Sequence, residues 1–313
     1  AMSLLLPATF AIPPTGAVIM LAGIYYGSMY GGSTTSILVR IPGEAASVVT
    51  CLDGHEMAKQ GRAGAALFVA AIGSFFAGTV ALFGLILLAP LMIKVALAFG
   101  PAEYCALMLL GLCLIAYLSQ ASLLKSLVMA GIGLVLGLVG IDSINALPRL
   151  TFDRLELLDG IGLVPVVMGL FGVAEIFKNL ETGTDRTVVE SKVGRLWLTH
   201  ADWLASRWAI VRGTALGFVL GILPGGGAVI SSFVSYAMER RLSATPERFG
   251  KGAIEGVAGP EAANNAAAGS AFIPLMTLGI PPNAVLALLL GALIIHNVPV
   301  GPTLITQRPD LFW

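Results

Sequence analysis

The sequence predicts an all-α membrane protein: a polytopic helical bundle with broken and re-entrant helices and an internal repeat. Three observations carry that reading. Of 313 residues, 57% are hydrophobic and only 12% charged, with mean hydropathy +0.89, where a soluble domain has about 25% charged residues. Charge-free runs of spanning length recur; Gly64 to Ala89 is one, and about 20 residues cross the hydrocarbon core. Thr9 to Gly23 also aligns without a gap on Thr277 to Gly291 at a constant offset of 268, sharing T-x-x-I-P-P among six identities in fifteen positions.

Net charge is zero, which argues against a nucleic-acid partner. The 38 glycines suit close helix packing and helix breaks in a membrane. Cys51, Cys105 and Cys113 form no CxxC pair, and buried, inert thiols are expected. The first 39 residues lack charge, so no basic segment precedes an apolar run as in a secretory signal. The chain starts as if already inside the membrane and stops at Phe312-Trp313, as a fragment of a longer protein would.

In chain order, Thr15 to Met29 reads as a helix, and Tyr30 to Glu44 (YGGSTTSILVRIPGE) as a break, with Glu44 a candidate interfacial cap. A polar segment to Arg62 follows, then the span Gly64 to Ala89 and apolar runs at Tyr104 to Leu124, Ser126 to Ile141 and Gly160 to Ala174. The loop Asp142 to Asp159 carries four acids and two arginines. Lys178 to Arg212 has six Lys/Arg against four acids, and Arg240 to Lys251 has four Lys/Arg. The positive-inside rule makes the last two cytoplasmic, together with Arg40 to Arg62.

Between Arg195 and Arg212 the positions Trp197, Ala201, Leu204, Trp208 and Val211 recur at spacings of four and three. They predict an amphipathic helix, lying in the interface or packed on protein. Gly213 to Met238 is charge-free but cut by Pro224-Gly225-Gly226-Gly227, and both flanking loops are basic. Two half-length arms meeting at a glycine tip satisfy that; the alternative is a kinked single span. Residues 1–177 are thus a first, N-terminally incomplete repeat half. Residues 178–212 are a cytoplasmic or interfacial linker, and 213–313 a second, C-terminally incomplete half.

The stretch Gly256 to Pro282 is the expected site. No Asp, Glu, Lys or Arg occurs from Ala262 to Gln307, yet Pro260, Pro274, Pro281 and Pro282 should break a helix there, and Glu261, Asn264 and Asn265 are polar. Polar groups and breaks at membrane depth face protein or a water-filled cavity. Paired interrupted helices in two halves point to a transporter's binding site.

The runs IYYGSMYGGSTTSILVRIPGE, LPGGGAVISSFVSYAMERRL and FGKGAIEGVAGPEAANNAAAGSAFIPLMTLGIPP together resemble the large membrane subunit of the tripartite tricarboxylate transporters, over essentially the whole chain. The family's Leu-Pro-Gly element before the first Ile-Pro-Pro is absent here, as are helices after the second. The resemblance implies a multi-pass secondary transporter subunit of the bacterial inner membrane, driven by a cation gradient. It implies work with a small membrane subunit and a periplasmic solute-binding protein that delivers a tricarboxylate such as citrate, or a related carboxylate.

A polycarboxylate leaving water needs replacement donors, which backbone N–H groups at half-helix N-termini supply. Gly225, Gly226, Gly227, Ser231 and Ser232 are therefore substrate-binding candidates. By repeat logic so are Gly31, Gly32, Ser33, Thr34 and Thr35. Glu261, Asn264 and Asn265 are cation-binding candidates. Oxygens at broken helices coordinate Na⁺, and a membrane-depth carboxylate can instead carry a proton. The plainer account makes the asparagines helix caps and Glu261 a helix N-terminal charge. Tyr25 and Tyr26 are read as packing residues. No cofactor is expected beyond the coupling ion, Na⁺ or H⁺.

The other classes are a channel and a membrane enzyme. His55-Glu56 begins like H-E-x-x-H, but Lys59 stands where the second zinc ligand belongs. Ser122-x-x-Lys125 has no S-D-N or K-T-G companion. Not an enzyme is the expectation.

Overall fold

The computed structural model describes residues 2–118, 122–142, 147–162, 196–223 and 227–313, with part of 163–195. Helix α1 (Pro14–Val39) starts where proline's fixed φ and missing N–H fit the first helical position. It runs on unbroken to Val39, so of the break expected over Tyr30 to Glu44 only the part from Arg40 onward interrupts the helix, with Arg40 in a left-handed conformation at φ 57°. Gly32 serves a different purpose. After Arg40 the chain folds back along α1, Gly43 N–H donates to the Gly32 carbonyl at 3.3 Å, and a methyl on Gly32 would run into Glu44.

Helix α2 (Thr50–Lys59) leads to α3 (Ala63–Ala98). At 36 residues, α3 is about 54 Å long, and among the described residues it is the one helix long and apolar enough to cross a membrane. Helices α4 (Pro101–Leu118) and α5 (Leu123–Gly137) follow, the second capped by the Ser122 hydroxyl. Residues 119–121 of the first apolar run lie outside the described residues, and α5 is close to the length of the run that predicts it. A two-residue ribbon pairs β1 (Gly140–Ile141), just before the acidic loop, with β2 (Pro148–Arg149) inside it. Parts of the Gly160 to Ala174 run and of the 178–212 linker lie outside the described residues.

Helix α6 (His200–Ile222) corrects two expectations at once. The amphipathic segment and the first arm of the hairpin are one continuous helix, whose N-terminus is closed by a Thr199–Asp202 capping box. Helix α7 (Gly227–Leu242) packs beside it as the second arm. Arg212 donates to both carboxylate oxygens of Glu239, at 2.8 and 2.5 Å. At the other end Gly221 and Gly227 approach each other. Arg212 to Ile222 rises about 15 Å, half of a bilayer core of about 30 Å. Pro224, Gly225 and Gly226 lie outside the described residues.

Helix α8 (Glu255–Ser270) continues through Pro260, contrary to the break expected there. Proline at the sixth position removes one N–H, and tight packing on every side holds the helix together regardless. The interruption comes at Ala271, before α9 (Phe272–Leu278), which carries Pro274 in its first turn. Gly279, at φ 74°, ends α9, and Pro281-Pro282 lie in the connection to α10 (Ala284–Ile295). In both copies of T-x-x-I-P-P the threonine is fully buried and bonds back to its own chain: Thr9 to Leu6 O at 2.6 Å, Thr277 to Ile273 O at 2.7 Å. Each Ile-Pro-Pro then leads into a helix. The second copy meets the helix that follows the first where the Asn283 amide donates to the Tyr25 hydroxyl at 3.1 Å.

Every residue of α8 from Gly256 to Ser270 is buried, with α6, α3, α7, α1 and α2 around it. Its side chains are mostly those of alanine and glycine, so its neighbours come close. Gly213, Gly217 and Gly221 of α6 sit four apart against Gly259, Ala263 and Ala267 of α8, also four apart. A Cβ at any of the three would strike α8 backbone. Small residues at that spacing let helix backbones touch. Large apolar side chains point the other way: Phe75, Phe83 and Leu87 on α3, and Trp203 and Trp208 on α6, are exposed. So are Cys105 and Cys113, while Cys51 is half-buried. The thiols expected to be buried at 105 and 113 face outward, as α4 packs only lightly on the other described elements.

Candidate functional site

Glu261 is fully buried in α8, nearly two turns from the helix start. Two hydroxyls donate to its carboxyl group: Ser33 Oγ of α1 to Oε2 at 2.6 Å, and Thr50 Oγ1 of α2 to Oε1. The Asn264 side chain lies beside the same carboxyl group. Among the described residues no Lys, Arg or His pairs with Glu261. A buried charge without a partner costs several kcal/mol, roughly. A carboxyl group that meets only neutral donors is satisfied at lower cost as the neutral acid or beside a cation.

The neighbouring amides are unevenly served. Asn264 Nδ2 is buried with no hydrogen-bond partner by distance and angle. Asn265 Nδ2 lies 3.0 Å from the Glu261 carbonyl, 2.8 Å from Ser74 Oγ of α3 and 2.5 Å from Asn264 Oδ1. That is three acceptors for two protons. Glu44 is close enough to Glu261 for their charges to interact. One of its oxygens caps the turn at Ala46 and the other is buried without a partner.

The structure thus brings Ser33, Glu261, Asn264 and Asn265 together from opposite ends of the sequence. It groups Ser33 with the cation candidates rather than with a separate substrate surface. Gly31 and Thr35 face outward, Thr34 is half-buried and Gly32 packs on Glu44. Ser231 and Ser232 bond back to Gly227 O and Ala228 O within α7. Gly227 begins that helix, while Gly225 and Gly226 lie outside the described residues. Tyr25 and Tyr26 pack with Phe272, the second ring stacked on it at 5.8 Å.

Three residues that the sequence left unmarked belong to this centre. Thr50 and Ser74 contact Glu261 and Asn265 directly. Asp53 is fully buried and anchors the loop that leads into α8: Oδ1 accepts from Gly250, Gly252 and Ala253 N–H, each at 2.8 Å, and Oδ2 from the Tyr236 hydroxyl at 2.8 Å. Gly250 and Gly252, at φ 81° and 100°, let the loop wrap the carboxylate. A periodic signal was there: Thr50, Asp53, Gly54 and Met57 form an inward stripe on α2, but a polar stripe does not look like a core face.

Compared with known proteins, residues 1–313 match the profile of the tripartite tricarboxylate transporter TctA family. The chain is 53% identical over 311 residues, 99% of its length and 62% of the relative's, to a protein of Agrobacterium vitis described as an uncharacterized 52.8 kDa protein in the TAR-I ttuC′ 3′ region. It is 60% identical over 97 residues, 31% of its length and 40% of the relative's, to an uncharacterized protein in the TAR-II ttuC′ 3′ region of the same organism. The chain therefore spans less than two thirds of the length of these relatives. No solved structure matches it.

Proposed function

We propose that this chain, which belongs to the tripartite tricarboxylate transporter TctA family, forms part of the membrane core of a cation-gradient-driven carboxylate importer. The observation that carries this reading is Glu261: a carboxyl group at full burial, held by the Ser33 and Thr50 hydroxyls, with no basic residue paired to it. Ion-coupled carriers need a site that is costly when empty and satisfied by the coupling cation. Glu261, Asn264 and Asn265 are the proposed cation-handling residues, joined by Ser33 and Thr50. The glycine tip Gly225 to Gly227, with Ser231 and Ser232, is the proposed surface that meets the substrate's carboxylates. The proposed setting is the bacterial inner membrane, with a small membrane subunit and a periplasmic solute-binding protein as partners.

The test is uptake of labelled citrate and other di- and tricarboxylates by the full-length parent with both partners in proteoliposomes, with Na⁺ and H⁺ gradients imposed separately. Gradient-dependent uptake is the expected result and names the ion. Absence of uptake under either gradient overturns the reading. In the same system the double substitution Asn264→Ala with Asn265→Ala is expected to abolish uptake while membrane insertion persists. Uptake at the wild-type rate would remove the asparagines from the cation site.

A further inference from the structure

At the end of α7 remote from the glycine tip lies an open cleft of about 430 Å³, lined by Tyr236, Ala237, Arg240, Arg241 and Pro246. Arg240 and Arg241 stand in the last turn of α7, and both are exposed. Cations suit a helix C-terminus. That alone does not account for two of them lining one concave surface. Among the described residues neither guanidinium has a hydrogen-bond or ion-pair partner.

The acids around this end are already committed. Glu239 holds Arg212, Asp202 holds Arg62, Glu56 holds Lys59, and Glu255 lies 3.8 Å from Arg248. Asp53 is enclosed by the N–H groups of Gly250, Gly252 and Ala253 and by the Tyr236 hydroxyl. From Arg240 to Lys251 four Lys/Arg meet a single acid, Glu247, which joins none of those pairs. Two forks of N–H donors are therefore left over beside one cleft, and such forks match the oxygens of a phosphate group.

The surface next to the arginines identifies the kind of phosphate. Phe233, Ala237, Arg240 and Arg241 are spaced four, three and one apart, so they share a face of α7, and all four are exposed. Along about 10 Å of rise that face passes from a phenylalanine, over a small alanine, to two cations. Gly213 to Met238 carries no charge, so Phe233 belongs to the hydrocarbon side and the arginines to its aqueous border. The basic loops assign this border to the cytoplasm, whose leaflet carries anionic lipid. A soluble phosphate would use the arginines and leave the apolar part of the face without a role. We propose that the cleft holds the head group of an anionic phospholipid, its phosphate between Arg240 and Arg241 and an acyl chain along Ala237 towards Phe233. Through Tyr236 the bound lipid also braces Asp53 and the loop that leads into α8. A ligand held by the folded protein alone raises its unfolding temperature. The inference needs only the orientation given by the basic loops and holds whatever the chain carries.

The test uses the full-length parent in a neutral detergent. Phosphatidylglycerol, phosphatidylcholine or inorganic phosphate is titrated in, with the unfolding temperature and the bound lipid (by native mass spectrometry) as readouts. Phosphatidylglycerol is expected to bind saturably and raise the unfolding temperature by several degrees, with phosphatidylcholine and phosphate leaving it unchanged. The double substitution Arg240→Gln with Arg241→Gln is expected to weaken phosphatidylglycerol binding about tenfold or more. Lys59→Gln, which removes a cation at the same end, should keep it. Ala237→Trp retains both arginines but fills the cleft, and is expected to weaken binding as well. Equal binding of the two lipids, or equal losses in Lys59→Gln and the arginine variant, would reduce the effect to general charge and overturn the site. Displacement of phosphatidylglycerol by millimolar phosphate, or full binding in Ala237→Trp, would make it a soluble-anion site and overturn the lipid assignment.

Discussion

Helices α8 and α5 are near opposites. α8 contains two glutamates and two asparagines, yet from Gly256 to Ser270 nothing of it is exposed; α5 is mostly leucine, valine and glycine and has no buried residue. In water that arrangement would be inverted, since polar helices stay outside and leucine-rich ones go in. The difference teaches what surrounds the molecule. Where the outside is apolar, leucine gains little by burial, and association rests on close backbone contact and on polar groups that find partners. α8 has both, through the glycine ladder of α6 and through Ser33, Thr50 and Ser74.

The sharpest way to break this comparison is to add one methyl to each helix system. Gly217→Ala on α6 places a Cβ against the Ala263 backbone. Backbone cannot yield as a side chain can, so a loss of about 3 kcal/mol is expected, read as a large drop in thermal unfolding temperature in detergent. Gly131→Ala on α5 meets nothing within 4 Å and is expected to gain up to about 1 kcal/mol from helix propensity. Equal effects at the two sites would mean that α8 is not the packing centre.

Next in size is Asp53→Ala, which leaves the N–H groups of Gly252 and Ala253 buried without their acceptor. A cost of about 2–3 kcal/mol follows. Limited trypsin digestion reports it: cleavage at Arg248 or Lys251 should become fast, and an unchanged digest would show that the loop is held by something else. The smallest effect concerns pH. Burial alone would raise the Asp202 carboxyl group, but hydrogen bonds from Thr199 and the nearby Arg62 guanidinium outweigh it and hold the group below the usual carboxylate range. A lowered carboxylate contributes stability above its unfolded range, near pH 4, and loses it as pH falls further. With Arg62 partly exposed, the contribution is under about 1 kcal/mol. Asp202→Asn should flatten the acid limb of stability against pH, and an unaltered limb would assign it to other carboxylates.

The burial of α8's polar groups was legible in the chain, because asparagines and a glutamate beside a long charge-free run admit few placements. The span within α3 was legible by length and hydropathy alone. Continuity was harder to read. Gly31-Gly32 and Pro260 look like breaks, but Gly32 makes room for the returning turn at Gly43 and Glu44, and Pro260 is carried by packing from all sides. The amphipathic segment of α6 hid its continuity in the same way, since its outward tryptophans and inward glycines belong to one helix with two surroundings. Thr50 and Asp53 were invisible for a different reason. Their value lies in partners some 200 residues away, which local pattern cannot express.

The glycine ladder has a mechanical consequence. Two helices whose backbones touch at three successive turns behave as a single strut, since neither sliding nor tilting leaves room for the contacts to re-form. If Glu261 is to be reached from one side of the membrane and then the other, α6 and α8 travel together. The give then belongs to the joints just beyond them: Ala271, where α8 hands over to α9, and Gly279, whose left-handed backbone ends the short segment that follows.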